Sequence, residues 1–320
     1  MKRILATVVN VLEEHHREAI TAEAEKHGFR ALFFDSAEQA EPYLAQAEII
    51  FGQESGLARH SPCLRWLCTP SAGVDHLAGE KIFASGDVIL SNSSGAYGVT
   101  ISEHVVMQIL EVLRRQKEYS AIAARHEWKR GLPVRSVIGS RITLLGTGDV
   151  GKECAVRLRA FGPASLTGVN RGEKNPEGLF DRILPQERIE EALPETDLLV
   201  ISLPGTPETR HILDARRLAL LPDGAAVVNV GRGTVIDQQA LEAELRAGRL
   251  YAALDVFERE PLAPDDPLWD CPHLMITPHV AGDMSLPYTR DRIVELFLED
   301  FRRYCAGEPL KRQVDPARGY

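Results

Sequence analysis

Between Arg141 and Arg171 the chain orders its residue types in a way that few folds accept. Arg141-Ile-Thr-Leu-Leu145 has the length of a short buried strand, Gly146-Thr-Gly-Asp-Val-Gly151 is a glycine-rich turn, and Lys152 to Phe161 sets Ala155, Leu158 and Phe161 on one helical face. Ser165 to Val169 reads as a second strand, ending at Asn170-Arg171. A strand, a G-x-G-x-x-G turn, a helix and a strand within about 30 residues form a unit suited to a dinucleotide. Gly146 permits the tight turn, Gly148 lets the backbone approach a pyrophosphate, and Gly151 lets helix and strand pack closely. The N-terminus of that helix then turns its N–H groups and positive dipole end toward the anion.

The tip of the second strand indicates which dinucleotide. An acidic side chain about 20 residues past the first glycine suits the ribose 2′-hydroxyl of NAD, and a neutral residue beside an arginine suits the 2′-phosphate of NADP. Gly146 to Asn170 is 24 positions, Arg171 follows, and Lys174 is close by. The expected cofactor is NADP(H). NAD(H) is the alternative, with Arg171 as a solvated charge and Glu173 in the acidic role.

At 320 residues two domains are expected, and 44% hydrophobic with 26% charged residues describes a globular chain. A net charge of −9 disfavours nucleic acid and anionic membrane as partners. The cysteines at 63, 68, 154, 271 and 305 are scattered, without a C-x-x-C pair, so no metal site or disulfide framework is expected and a reducing cytoplasm fits. Lys2-Arg3 before Ile4 to Leu12 imitates a signal peptide, but Asn10 interrupts the run and Glu13-Glu14-His15-His16 follows directly. It reads as a first strand instead. No run reaches the roughly 18 apolar residues of a membrane span.

Residues 1 to 95 alternate strand and helix: Ile4 to Val9, a helix from Leu12 to His27, Ala31 to Phe34, a helix from Ala37 to Ala47, Glu48 to Phe51, Arg65 to Thr69 and Val88 to Leu90. Such alternation implies a parallel sheet with crossovers. Pro70-Ser-Ala-Gly-Val-Asp-His76 follows the fourth strand with small residues that leave backbone N–H groups accessible at a strand's carboxyl end, though a plain strand-to-helix turn would look the same. The helix from Thr100 carries two apolar stripes, Val105, Ile109, Val112 and Val106, Leu110, Leu113, too wide for a surface helix and suited to burial against a second subunit. A polar segment with Trp128, Gly131 and Pro133 leads to the central strand. Beyond Arg171 come a loop over 172–178, a helix from Gln186 to Leu193, and strands Asp197 to Ser202, Ala225 to Val230, Ala252 to Val256 and Leu274 to Thr277. A helix from Gln239 to Ala247 lies among them, and an amphipathic helix from Tyr288 to Cys305 is placed to return over the first sheet.

The late strands end in Asn229-Val-Gly-Arg-Gly233, Asp255-Val-Phe-Glu-Arg-Glu-Pro-Leu262 and Thr277-Pro-His-Val-Ala-Gly282. Parallel strands bring these ends to one edge, where Arg232, Glu260 and His279 can meet. Reducing a ketone needs a hydride donor, a cation to polarise the carbonyl and an acid for the developing alkoxide. Arg232 offers a fork that also clamps a carboxylate. A histidine exchanges its proton near neutral pH, and Glu260 beside His279 would stabilise the imidazolium. Alone, each is as well read as a surface ion pair, a structural histidine or a turn cap. His76 and His104 are read as structural or marginal to the cleft, His15, His16 and His27 as solvent-facing, and His211 and His273 have no nameable partner.

Taken together, Ser71-Ala-Gly-Val-Asp75, Glu103-His104, Gly146 to Gly151, Leu203-Pro204 with Thr206 and Thr209, Asn229 to Gly233, Leu254-Asp-Val-Phe with Glu260-Pro-Leu, and Thr277-Pro-His279 resemble the D-isomer-specific 2-hydroxyacid dehydrogenase family over nearly the whole chain. The resemblance implies an α/β protein of two doubly wound parallel-sheet domains, a Rossmann cofactor domain (96–286) inserted in a flavodoxin-like substrate domain (1–95 and 287–320), hinged near 96 and 286. It implies Arg232 for substrate binding and carbonyl polarisation, His279 as acid/base and Glu260 as its partner. Ala72, Gly73 and Val74 would hold the substrate carboxylate, with Asp255 near the nicotinamide carboxamide. Thr100, Asp149, Val150, Leu203, Pro204, Thr209, Val230, Gly231, His279 and Gly282 would join Gly146, Gly148, Gly151, Asn170 and Arg171 around the cofactor. A cytoplasmic homodimer reducing a small 2-oxo acid to the D-2-hydroxy acid follows, with glyoxylate and hydroxypyruvate the nearest substrates and Phe51, Gly52, Gln53 and Met284 shaping the pocket. No phosphate-binding cluster is evident there. Asn170-Arg171 stands where many members carry Asp, and Glu260 rather than Gln beside the histidine argues against a formate dehydrogenase, as does the lack of that group's N-terminal extension. No regulatory domain is expected after Tyr320. A nucleotide-sensing binding protein, like the family's corepressor relatives, is the reading from another class.

Overall fold

The computed structural model describes residues 3–53, 55–74, 77, 83 and 88–315. Asp75 and His76 lie outside the described residues. The chain divides into two compact units, Met1–Tyr97 with Asp283–Tyr320, and Gly98–Gly282.

The first unit opens with β1 (Arg3–Val8), α1 (Glu14–Lys26), β2 (Phe29–Phe33), α2 (Ala37–Leu44), β3 (Ala47–Gly52), α3 (Ser55–Arg59), β4 (Trp66–Cys68) and β5 (Ile89–Ser91). The strands are parallel in the order β2-β1-β3-β4-β5, the flavodoxin-like winding. Alternate residues face opposite sides. Ala6, Ile50 and Leu67 pack under α2 and α3, while Leu5, Ile49, Phe51 and Trp66 are buried on the other face.

The second unit runs α4 (Gly98–Leu113), α5 (Gln116–Ala124), β6 (Arg141–Leu145), α6 (Asp149–Arg159), β7 (Ser165–Asn170), β8 (Arg182–Pro185), β9 (Leu198–Ile201), α7 (Ala215–Leu218), β10 (Ala226–Asn229), α8 (Gln238–Arg246), β11 (Tyr251–Leu254) and β12 (Leu274–Ile276). Its parallel sheet has the order β12-β11-β10-β9-β6-β7-β8, a Rossmann winding whose direction reverses between β6 and β9. Its strands are apolar on both faces because both are covered. Ile142, Leu144, Val200 and Val228 meet Val105, Ile109 and Val112 of α4 and Ala155 and Leu158 of α6, while Leu145, Ile201 and Val227 face the other layer.

The chain then returns to the first unit as α9 (Pro287–Cys305), begun by the proline that suits a first helical turn. Phe297 stacks on Phe51 at 4.3 Å and Phe301 meets Phe29 at 5.3 Å, so the amphipathic face read from the sequence covers the first sheet. Phe51, expected to shape a substrate pocket, is fully buried in this stack. The helix expected from Gln186 to Leu193 forms two 3-10 turns, Gln186–Glu191 and Leu193–Glu195, broken where Arg188 leaves helical geometry and Pro194 lacks an N–H.

Candidate active site

The turn after β6 shows what each glycine is for. Gly146 has φ +98°, and a Cβ there would lie 2.8 Å from Ser202 Oγ; a Cβ on Gly151 would lie 2.1 Å from the Gly146 carbonyl oxygen. A Cβ on Gly148 would meet nothing within 4 Å. Its backbone therefore faces open space at the start of α6, whose N-cap position, being this glycine, has no capping side chain, an arrangement that fits a pyrophosphate. Asp149 turns inward instead: its carboxylate accepts the Gly98 N–H at 2.8 Å and fixes the start of α4, on which Thr100 is buried. At the tip of β7, Asn170 Nδ2 donates to Thr147 Oγ1 at 2.7 Å and to the Lys174 carbonyl at 3.0 Å. Its Oδ1 is buried without a hydrogen-bond partner among the described residues, an acceptor matched to a ribose hydroxyl. Arg171 follows, exposed.

Arg232 sits on a strip that only glycines allow. A Cβ on Gly231 would come 2.6 Å from the Leu203 carbonyl oxygen, and one on Gly233 would come 1.9 Å from the Phe257 carbonyl carbon. The strip is wedged between the loops after β9 and β11. Asn229 closes it, Oδ1 accepting from the Gly231 N–H and Nδ2 donating to the Arg232 carbonyl, each at 3.0 Å. The Arg232 stem lies along Gly205, where a Cβ would be 3.1 Å from its Cγ, and Nη1 donates to the Gly231 carbonyl at 2.8 Å. Thr209 shapes the same wall from within: its hydroxyl donates to the Pro204 carbonyl at 2.6 Å and accepts the Thr206 N–H at 2.9 Å. Leu203 and Val230 are buried beside it.

His279 and Glu260 meet. Nδ1 of His279 lies 2.6 Å from Glu260 Oε2, and Glu260 Oε1 accepts the Phe257 N–H at 2.8 Å. With Nδ1 engaged, Nε2 is the nitrogen that can pass a proton outward, from a side chain 49% exposed. Asp255 is only 1% exposed and grips this loop. Its backbone oxygen accepts the His279 N–H at 2.8 Å, Oδ1 the Val280 N–H and Oδ2 the Ala281 N–H, both at 3.0 Å. Three consecutive amides thus end on one residue, and His279 is held at φ +56°. Burial pushes the nearby His104 imidazole below its ordinary pKa, against the attraction of Asp255.

In the first unit, the loop after β4 has its carbonyls tied back. Thr69 accepts from Ser93 Oγ at 2.9 Å, Pro70 from the Tyr97 hydroxyl at 2.7 Å, Ala72 from Asn92 Nδ2 at 2.7 Å and Gly73 from Ser71 Oγ at 2.9 Å. Burial pushes the Tyr97 phenol above its ordinary pKa and keeps it a donor. The N–H groups of Ala72, Gly73 and Val74 find no acceptor among the described residues, the state of a backbone anion site. Asn92, Ser93 and Tyr97 were not singled out from the sequence, because nothing in their spacing marks them as braces.

Three histidine readings change. His16 is buried, not solvent-facing, with Nε2 at 2.8 Å from Asp291 Oδ1. His15 joins the pair, but His16 Nδ1 accepts the Glu13 N–H at 3.1 Å. This network puts the His16 proton on Nε2, where a metal would need a lone pair. His211 pairs with Glu258 at 2.7 Å and His273 with Glu118 at 3.3 Å.

Residues 106–281 match the model of the D-isomer specific 2-hydroxyacid dehydrogenase NAD binding domain. A glyoxylate/hydroxypyruvate reductase A of Salmonella dublin is 34% identical, over 77% of this chain and 85% of its own. Among solved structures, a D-isomer specific 2-hydroxyacid dehydrogenase family protein of Aeromonas salmonicida superposes with a TM-score of 0.87 at 31% identity, over 99% of this chain and all of that one. An NADPH-dependent glyoxylate/hydroxypyruvate reductase of Sinorhizobium meliloti, solved with NADP and sulfate, gives a TM-score of 0.83 at 28% identity over the whole of both.

Proposed function

We propose, from the premise that this chain belongs to the D-isomer specific 2-hydroxyacid dehydrogenase family, that it reduces a small 2-oxo acid to the D-2-hydroxy acid with NADPH. The observation that carries the reading is the His279–Glu260 pair on the edge of a Rossmann sheet. NADPH, when bound, supplies the hydride. Arg232 polarises the ketone and holds the carboxylate with its fork. His279 gives a proton from Nε2 to the alkoxide oxygen while Glu260 holds Nδ1 and balances the imidazolium charge. Ala72, Gly73 and Val74 offer their N–H groups to the substrate carboxylate. Gly146, Gly148, Gly151, Val150 and the start of α6 take the pyrophosphate, and the Asn170-Arg171 tip favours NADP(H), with NAD(H) as the alternative. Glyoxylate and hydroxypyruvate, named for the Salmonella and Sinorhizobium relatives, are the first substrates to assign. The protein acts as a homodimer in the cytoplasm; the exposed apolar Met107 and Leu110 on α4 and the five free thiols support this.

Steady-state NADPH oxidation over a panel of 2-oxo acids tests the reading. Turnover on at least one acid is expected, with kcat reduced by at least about 10² in His279→Ala, as loss of a general acid predicts. Background rates on every acid would leave a nucleotide-sensing role in its place, and near-normal turnover of the variant would mean that another group is the acid.

A further inference from the structure

A hydrogen-bond relay between α4 and the loop after β12 lies behind the proposed acid and takes no part in the chemistry described above. His104 and Gln108, one turn apart on α4, both direct a nitrogen at the Thr277 hydroxyl, His104 Nε2 at 3.2 Å and Gln108 Nε2 at 3.2 Å. With its oxygen facing two donors, the hydroxyl spends its own proton on Asp255 Oδ1 at 2.5 Å. That carboxylate is the one that receives the Val280 and Ala281 amides, while the Asp255 carbonyl receives that of His279.

We propose that Thr277, with His104 behind it, is a positioning residue for His279: it fixes the rotation of the Asp255 carboxylate, and through it the backbone that aims the imidazole. The inference rests on His279 being the acid of the proposed reduction. Two features make the device necessary. His279 holds φ +56°, a conformation that a residue with a Cβ keeps only when its surroundings enforce it. The Asp255 carboxylate is buried, and His104 Nε2 stands 3.7 Å from its Oδ1 as a competing donor. Without the hydroxyl, the carboxylate swings toward His104 and loosens its hold on Val280.

Thr277→Val keeps the shape and removes the hydroxyl; Thr277→Ser keeps the hydroxyl. The valine variant is expected to lose at least about tenfold in kcat, the scale of a small misplacement of a catalytic group, with the KM for NADPH unchanged and faster hydrogen exchange at the Val280 and Ala281 amides. The serine variant recovers most of the rate and the protection. His104→Gln, which retains an N–H donor, loses less than His104→Leu. Wild-type kcat and exchange in Thr277→Val would overturn the proposal, as would equal losses in the valine and serine variants, which would make Thr277 a packing residue. If the wild type turns over no 2-oxo acid, the function reading fails, while the exchange measurements still decide whether Thr277 anchors the loop.

Discussion

Asn92 has no chemistry of its own, yet its amide holds the Ala72 carbonyl at 2.7 Å and so keeps the neighbouring N–H groups turned outward. Removing one such bond is worth about 1 kcal/mol, or roughly fivefold in binding. Asn92→Ala is expected to raise the KM for the 2-oxo acid by about that factor, with kcat and the KM for NADPH little changed. An unchanged KM for the acid would take the loop after β4 out of substrate binding. The contrast with Arg232, Glu260 and His279 shows what a sequence discloses at this scale. Those three were readable because their side chains carry charge or exchange protons. Asn92, Tyr97, Thr277 and Gly205 act through a particular carbonyl, carboxylate or neighbouring stem, and that neighbour lies up to 27 positions away for Tyr97 and Pro70.

Elements were legible where their periodicity was long. The core strands and α4, α6, α8 and α9 lie within a few residues of the readings, since apolar alternation and helical stripes survive single exceptions. β8 was not read: it has four residues, ends in Pro185 and lies on the sheet edge, where little is buried to mark it. α5 follows α4 across Arg115 at φ +59°, and with Ile122 as its one buried side chain it gives no stripe to read. Between elements, α1 and α9 are joined by Glu23, whose carboxyl Arg302 holds down at about 2, with Lys26 adding to the effect and burial opposing it. A carboxyl with a depressed folded pKa stabilises the fold above its unfolded value and stops doing so as pH falls through the folded one. Glu23→Gln is therefore expected to cost about 1 kcal/mol at pH 7, discounted for the half-exposed Arg302. The gap to wild type closes between pH 4.5 and about 2. Denaturant melts at both ends of that range check it, and a gap that persists at the acid end would remove the ion pair as its cause.

At the scale of the molecule, the alternation of strand and helix implied parallel sheets with crossovers, and the family resemblance implied their doubly wound strand orders, both of which the structure has. The proposed dimer was suggested by the width of the apolar face on α4. The structure buries Val105, Ile109 and Val112 inside the unit and leaves Met107 40% and Leu110 36% exposed; Trp128 is 91% and Ile138 70% exposed elsewhere in that unit. The proposed dimer would use the exposed Met107 and Leu110 on α4. A dimer is expected in analytical ultracentrifugation at micromolar concentration, and Leu110→Glu should shift it toward monomer; a monomeric wild type would sink the idea. The first unit is built from both parts of the chain that flank the second, and this sets an order of events on the ribosome. Phe29, Phe51 and Trp66 emerge long before Phe297 and Phe301, which close over them. The roughly 200 residues between take about 10 to 40 s to translate. The complete Rossmann sheet is available to fold in that interval, while the earlier sheet waits with one aromatic side bare, a nascent surface for chaperones to shield until α9 emerges.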